Sequence, residues 1–123
     1  MQNTRVTTKE DCLHWLEARG IAVETREHDA LHTVEEAQVA RALWGPPWDR
    51  GGHCKNLFLK DKKGALFLVV TLEDRALKLN KLGTPLGAAR LSFASSDLLW
   101  EVLGVKPGSV TPFALINDHA GLV

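Results

Sequence analysis

A hairpin is written into residues 56–71, and it narrows the possible folds more than any other stretch. Asn56-Leu57-Phe58-Leu59 and Leu66-Phe67-Leu68-Val69-Val70-Thr71 are apolar runs of β-prone residues, and Asp61-Lys62-Lys63-Gly64 between them has the composition of a turn. The second run is apolar on both faces, which predicts a strand inside the sheet. The first alternates less cleanly and ends in Lys60. A sheet therefore forms the centre, and the flanking segments must supply what covers it.

Those flanks read mainly as helices. Thr7-Thr8-Lys9-Glu10 has the form of a capping box, followed by Cys12, Leu13, Trp15, Leu16 and Ala18 at helical spacing and a stop at Gly20. Ile21 and Val23 alternate with Ala22 and Glu24 through Thr25, which predicts a short strand. A second capping box, Thr33-Val34-Glu35-Glu36, opens a helix carrying Val34, Ala37, Ala40 and Leu43, and Gly45-Pro46-Pro47 ends it. Further on, Leu77, Leu79 and Leu82 predict a short helix terminated by Gly83. After Leu91-Ser92-Phe93-Ala94, either Ser95 or Ser96 caps a helix with the stripe Leu98, Leu99, Val102 and Leu103, stopped by Gly104. Pro107-Gly108-Ser109 predicts a turn, Phe113-Ala114-Leu115-Ile116 a strand, and Asn117-Asp118 another turn. The expected architecture is α/β of the α+β type: a mixed, largely antiparallel central sheet flanked by helices. With no repeat or linker, residues 1–123 read as a single domain.

Composition excludes several classes. Hydrophobic residues at 45% and charged residues at 24% are those of a folding globular chain. No apolar run is long enough to cross a bilayer and no leader precedes the first helix, so a cytoplasmic protein without membrane contact is expected. Cys12 and Cys54 lack metal-ligand spacing, His28, His32 and His53 do not form a tight ligand set, and no metal or cofactor is expected. Cys54, beside Lys55, reads as a tolerated rather than a reactive thiol, and the tryptophans read as core and rim. The net charge is zero, but residues 55–90 hold eight Lys or Arg against three Asp or Glu. That bias suits a phosphate-bearing partner as well as it suits a solvated surface.

Three ordered segments carry a resemblance: His32-Thr33-Val34-Glu35-Glu36-Ala37, then Gly52-His53-Cys54-Lys55-Asn56-Leu57-Phe58-Leu59-Lys60-Asp61-Lys62-Lys63-Gly64, then Pro107-Gly108-Ser109-Val110-Thr111-Pro112-Phe113 running to Ile116-Asn117-Asp118. Each alone is weak, but the ordered set resembles the prolyl-tRNA editing family, which includes the YbaK-like proteins and the editing insertion of bacterial prolyl-tRNA synthetase, in its ProX (ProXp-ala) branch. The resemblance implies metal-independent hydrolysis of the ester that joins alanine to proline tRNA, with the acceptor end of that tRNA as partner and prolyl-tRNA synthetase or translation factors as further partners. The alternatives are a deacylase for another small amino acid and a tRNA-binding module without hydrolysis. Members of the family continue past Asn117-Asp118 with a strand, a His-Pro segment and a helix, so the chain is expected to be truncated at its C-terminal end. Relatives commonly carry an aromatic residue where this chain has His32.

The resemblance also assigns the site. Lys55 falls at the family's pocket lysine, where an ammonium can favour developing negative charge. Gly108 and Ser109 belong to a Gly-x-x-x-Pro loop expected to present backbone N–H groups to the ester, with Val110, Thr111 and Pro112 in contact with substrate. Asn56 is assigned to orienting water or substrate. Leu31, Thr33 and Val34 are assigned to the wall that limits the amino-acid pocket to small side chains.

Overall fold

The computed structural model describes residues 7–123. The chain forms α1 (Lys9–Ala18), α2 (Val34–Trp44), β1 (Cys54–Asp61), β2 (Leu66–Leu72), α3 (Leu79–Leu86), β3 (Leu91–Phe93), α4 (Ser96–Leu103) and a 3-10 helix (Pro112–Asn117). The α+β architecture is as expected, and every strand pairing among the described residues is antiparallel. No helix among them is long and apolar enough to cross a membrane.

The hairpin forms at the expected place, with Lys60 opposite Leu66 and Cys54 opposite Leu72. Asp61 builds its turn. One carboxylate oxygen accepts from the N–H groups of Lys63 and Ala65, both at 2.9 Å, and the other accepts from Ala89 N–H at 3.1 Å. The sheet order, however, is β2-β1-β3, so β1 is the central strand and β2 lies at an edge. None of the residues of the apolar second run is fully buried, and Val70 and Leu72 stay about half exposed, so its apolar character does not mark an inner strand. The three-residue β3 pairs with the far half of β1, from Leu59–Phe93 to Asp61–Leu91.

One face of β1 meets the main core. Phe58 packs with Leu99, Val102 and Leu103 of α4 and with Ala114 of the 3-10 helix, and Leu66, Val105 and Val110 lie against this cluster. The α4 stripe thus turns inward as its spacing predicts, Ser95 accepts from Leu98 N–H as its cap, and Gly104 ends it in the left-handed region at φ 66°. In α1 the cap is Thr8, paired reciprocally with Asp11 in a box one residue later than the sequence suggested. In α2, Thr33 accepts from Glu36 N–H, while the Glu36 carboxylate reaches past the cap to His32 N–H at 2.8 Å. Leu43, expected on its buried face, is 82% exposed.

Three further expectations are corrected. Residues 21–25 form no strand, and Ile21 and Val23 remain about half exposed, because no neighbouring strand offers them a ladder. The helix after Leu77 runs through Gly83 to Leu86 and ends at Gly87, φ 66°. Gly83 serves close approach instead of termination, since a Cβ there would stand 3.0 Å from Ala89 O and 3.1 Å from Ala88 O. Phe113–Ile116 is 3-10 helix rather than strand: Pro112 presets the backbone at its first position, and the Thr111 hydroxyl accepts from Phe113 N–H.

Candidate active site

Alternation along β1 divides the candidate residues between two faces. Cys54, Asn56 and Phe58 share the face that looks toward the 105–114 segment, whereas Lys55 and Leu57 belong to the other. Asn56 donates from Nδ2 to Val110 O at 2.9 Å, tying the strand to the Pro107–Pro112 loop, and its Oδ1 is buried without a hydrogen-bond partner among the described residues. At the open end of this strand face lies a cavity of about 710 Å3, within the usual range for small-ligand sites.

Three separate stretches of chain line it. The first, ahead of α2, contributes Arg26, His28, Ala30, Leu31 and His32; α2 and the loop after it contribute Ala37, Arg41, Trp44 and Trp48; Cys54 and Pro107-Gly108-Ser109 close the far side. Ala37, Arg41 and Trp44 are spaced four and three apart, which puts them on one helical face. The irregular 26–32 segment is held to that face by aromatic contacts. The Arg26 guanidinium lies 4.7 Å from the Trp44 ring centroid, His28 stacks at 5.1 Å with a 36° tilt, and Trp48 meets Trp44 edge-on at 6.5 Å. Among the described residues no Asp or Glu lines the cavity, while two arginines and two histidines do. Arg41 is paired with Glu73 at the end of β2. Arg26 has no carboxylate partner among the described residues. Such a lining suits an anionic ligand.

Of the residues singled out from the sequence, Leu31, Gly108 and Ser109 line this cavity. Asn56 and Val110 lie one hydrogen bond behind it. Thr33 caps α2 and Val34 is half-buried in its first turn; neither reaches the lining. Thr111 caps the 3-10 helix, and Pro112 begins it on the side toward β2. Lys55 stands apart from the lining, its ammonium donating to the carbonyl of Arg75. Gly108 takes φ 91°, which its missing Cβ permits. The Ser109 N–H is committed to Lys106 O at 3.0 Å, so in this loop the Gly108, Val110 and Thr111 N–H groups are the ones without a backbone acceptor among the described residues.

Sequence reasoning missed Arg26, Arg41, Trp44, Trp48 and Cys54 as lining. Cys54 is exposed. The one available signal was the Trp44 and Trp48 pair around Gly45-Pro46-Pro47, a chain reversal that brings two large rings together. No cluster of three or more His, Cys, Asp or Glu among the described residues is arranged to hold a metal ion.

The chain matches the aminoacyl-tRNA editing domain over residues 28–122. It is 39% identical over 113 residues to the prolyl-tRNA synthetase associated domain-containing protein 1 of Danio rerio, an alignment covering 92% of this chain and 59% of that protein. It is 37% identical over 98 residues to the prolyl-tRNA editing protein ProX of Acetoanaerobium sticklandii, covering 79% and 57%. Its fold is similar to the crystal structure of hypothetical protein APE2540, with a TM-score of 0.60, 28% identity, and coverage of 84% of this chain and 65% of that one. The chain therefore spans less than two thirds of the length of these relatives. The family match takes in β1, the 107–109 turn and every residue of the cavity lining except Arg26, and the chain belongs to the aminoacyl-tRNA editing domain family.

Proposed function

We propose that this chain is a trans-editing deacylase that hydrolyses alanine wrongly attached to proline tRNA. The observation that carries the reading is the convergence of three motif segments, distant in sequence, on one acid-free cavity with arginines in its wall. An aminoacyl ester is already activated, so a site that binds it, excludes bulk water and stabilises the tetrahedral oxyanion suffices without a metal or organic cofactor. The Gly108 and Val110 N–H groups are the donors for that oxyanion. Leu31, with Ala30 and Ala37 beside it in the lining, bounds the space for a methyl side chain, while Thr33 and Val34 set where that wall begins. Asn56 positions the loop through Val110, and Thr111 and Pro112 hold its far end. A methyl group is worth only about 1–3 kcal/mol in such a pocket, so rejection of proline rests on overlap with the wall.

Lys55 acts electrostatically in this reading. On substrate binding its ammonium leaves the Arg75 carbonyl for the terminal phosphate or ribose, and the free hydroxyl of the terminal adenosine positions the attacking water. The partner is the acceptor end of tRNA; prolyl-tRNA synthetase or translation factors and a cytoplasmic setting complete the proposal, with the chain acting as one domain. A second reading, a tRNA-binding module without hydrolysis, is favoured by one observation: the Lys55 ammonium is held outside the cavity lining.

Single-turnover deacylation of alanyl- and prolyl-tRNA with the proline anticodon, by wild type and Lys55→Ala, tests both. Alanine should be released and proline retained, and the substitution should slow release by about 100-fold or more, the usual scale for losing one electrostatic stabiliser. Binding without release of either amino acid overturns the deacylase reading, and release of another small amino acid in preference to alanine reassigns the substrate.

A further inference from the structure

The chain that follows β2 is pinned to β1 at two points. At the near end Glu73 pairs with Arg41 of the cavity wall, its N–H donates to His53 O at 2.9 Å, and the Lys55 ammonium donates to the Arg75 carbonyl. At the far end the Ala89 N–H donates to Asp61, at the hairpin turn, at 3.1 Å. Lys55 and Asp61 share one face of β1, and α3 lies between the two anchors in sequence. Residues 73–90 therefore lead from the rim of the cavity to the hairpin turn, a distance of about 25 Å for the eight residues of β1.

Exposed cations mark that path. Arg75 and Lys78 stand near its start, and Lys81 follows one helical turn after Lys78 on the same side. Arg90 comes next to Ala89, which shares the Asp61 carboxylate with Lys63, so Arg90, Lys62 and Lys63 meet at its end. Of the three acids between residues 55 and 90, Asp61 is taken by three backbone N–H groups and Glu73 by Arg41, leaving Asp74 against these six. Among the described residues none of the six forms a salt bridge. What calls for a partner here is charge and not uncovered apolar area: an apolar segment laid over these side chains would have to desolvate them unpaired.

We infer that this path seats the acceptor stem of the tRNA: with the aminoacylated 3′ end in the cavity, the phosphates of the adjoining strand run past α3 to the hairpin turn. The inference rests on the reading of the cavity as the deacylation site and adds the surface that supplies affinity. An RNA strand leaving the cavity mouth carries a row of anions, and cations spread along about 25 Å match a row better than they match one point charge. Six phosphate contacts, each releasing about 0.7–0.9 counterion, give a slope of log affinity against log salt of about −4 to −5.

Fluorescence anisotropy across a salt series, with a non-aminoacylated minihelix of the proline tRNA acceptor stem ending in CCA and with the CCA trinucleotide alone, reads the path without any deacylation. The minihelix should show the steep slope and the trinucleotide a slope shallower by about 3 or more. Lys62→Gln, Lys81→Gln and Arg90→Gln combined, all at exposed positions outside the cavity lining, should make the minihelix slope shallower by about 2–3 and leave the rate of alanine release from alanyl-CCA unchanged. Should the triple variant fail to fold, the comparison of the two RNAs on the wild-type chain decides alone. Equal slopes for the two RNAs overturn the inference, as does a folded triple variant with the wild-type slope. Either result with alanine still released leaves the deacylase reading intact, whereas the expected slopes without release refute that reading and keep the path as an RNA-binding face. Displacement of the minihelix by polyglutamate as readily as by tRNA, at matched charge, would assign the face to an acidic protein and overturn the RNA assignment.

Discussion

Breaking the Arg41–Glu73 pair should detach α2, and with it one wall of the cavity, from the end of β2. The two side chains are only 16% and 13% exposed, and Gln38 Nε2, 3.4 Å from the same carboxylate oxygen, is the other side chain in reach. At an effective dielectric of about 20, charges some 4 Å apart attract by about 4 kcal/mol; partial desolvation offsets part of this, leaving a coupling of about 1–3 kcal/mol. Arg41→Met removes the attraction and strands a largely buried carboxylate, so it should cost about 2–3 kcal/mol, or roughly 8–12 °C in Tm for a domain of this size. Adding Glu73→Met should recover much of the loss, because the stranded charge goes with it. A double-mutant cycle by urea denaturation reads the coupling directly. A coupling under about 0.3 kcal/mol, the range of simple additivity, would show that α2 is held by other contacts and that the pair is incidental.

Two further outcomes follow from the hairpin and α3. Burial pushes the Asp61 carboxyl up, but three backbone N–H donors, from Ala89, Ala65 and Lys63, together with the Lys63 charge, outweigh it and hold the group below the usual carboxylate range. A lowered folded-state value stabilises above the unfolded value and is lost as pH falls through the folded one. The stability advantage of wild type over Asp61→Asn should therefore be constant near neutrality and shrink below about pH 4, as urea midpoints across pH would show; a pH-independent difference would refute it. Gly83→Ala should destabilise by about 1–3 kcal/mol in thermal melts, because the added Cβ meets two backbone oxygens that cannot move aside; a gain of about 1 kcal/mol, the helix-propensity expectation, would show that the α3–β3 connection yields.

Much of the fold was legible because its signals are local. The Asp61–Gly64 turn, the Thr8, Thr33 and Ser95 caps, the stop at Gly104 and the α4 stripe each depend on residues within one or two turns of one another, and each forms within a residue or so of its expected place. Of the residues that the resemblance assigned, Leu31, Gly108 and Ser109 lie on one cavity. Sheet order was not legible, since an apolar run such as Leu66–Leu72 is equally compatible with a central strand and with an edge strand; the pairing of β1 with β3 decided it. Gly83 and Phe113–Ile116 were misread for a related reason: a close approach by residues 88–89 and a proline-led turn overrode what the local pattern favoured. Nor could spacing reveal that Arg26 and His28 would stack on Trp44, because those contacts exist only once the 26–32 segment folds back on α2. Short-range hydrogen bonding and periodicity lie in the chain itself, whereas which face, which neighbour and which ammonium meets which carbonyl depend on residues tens of positions apart, and only packing brings those together.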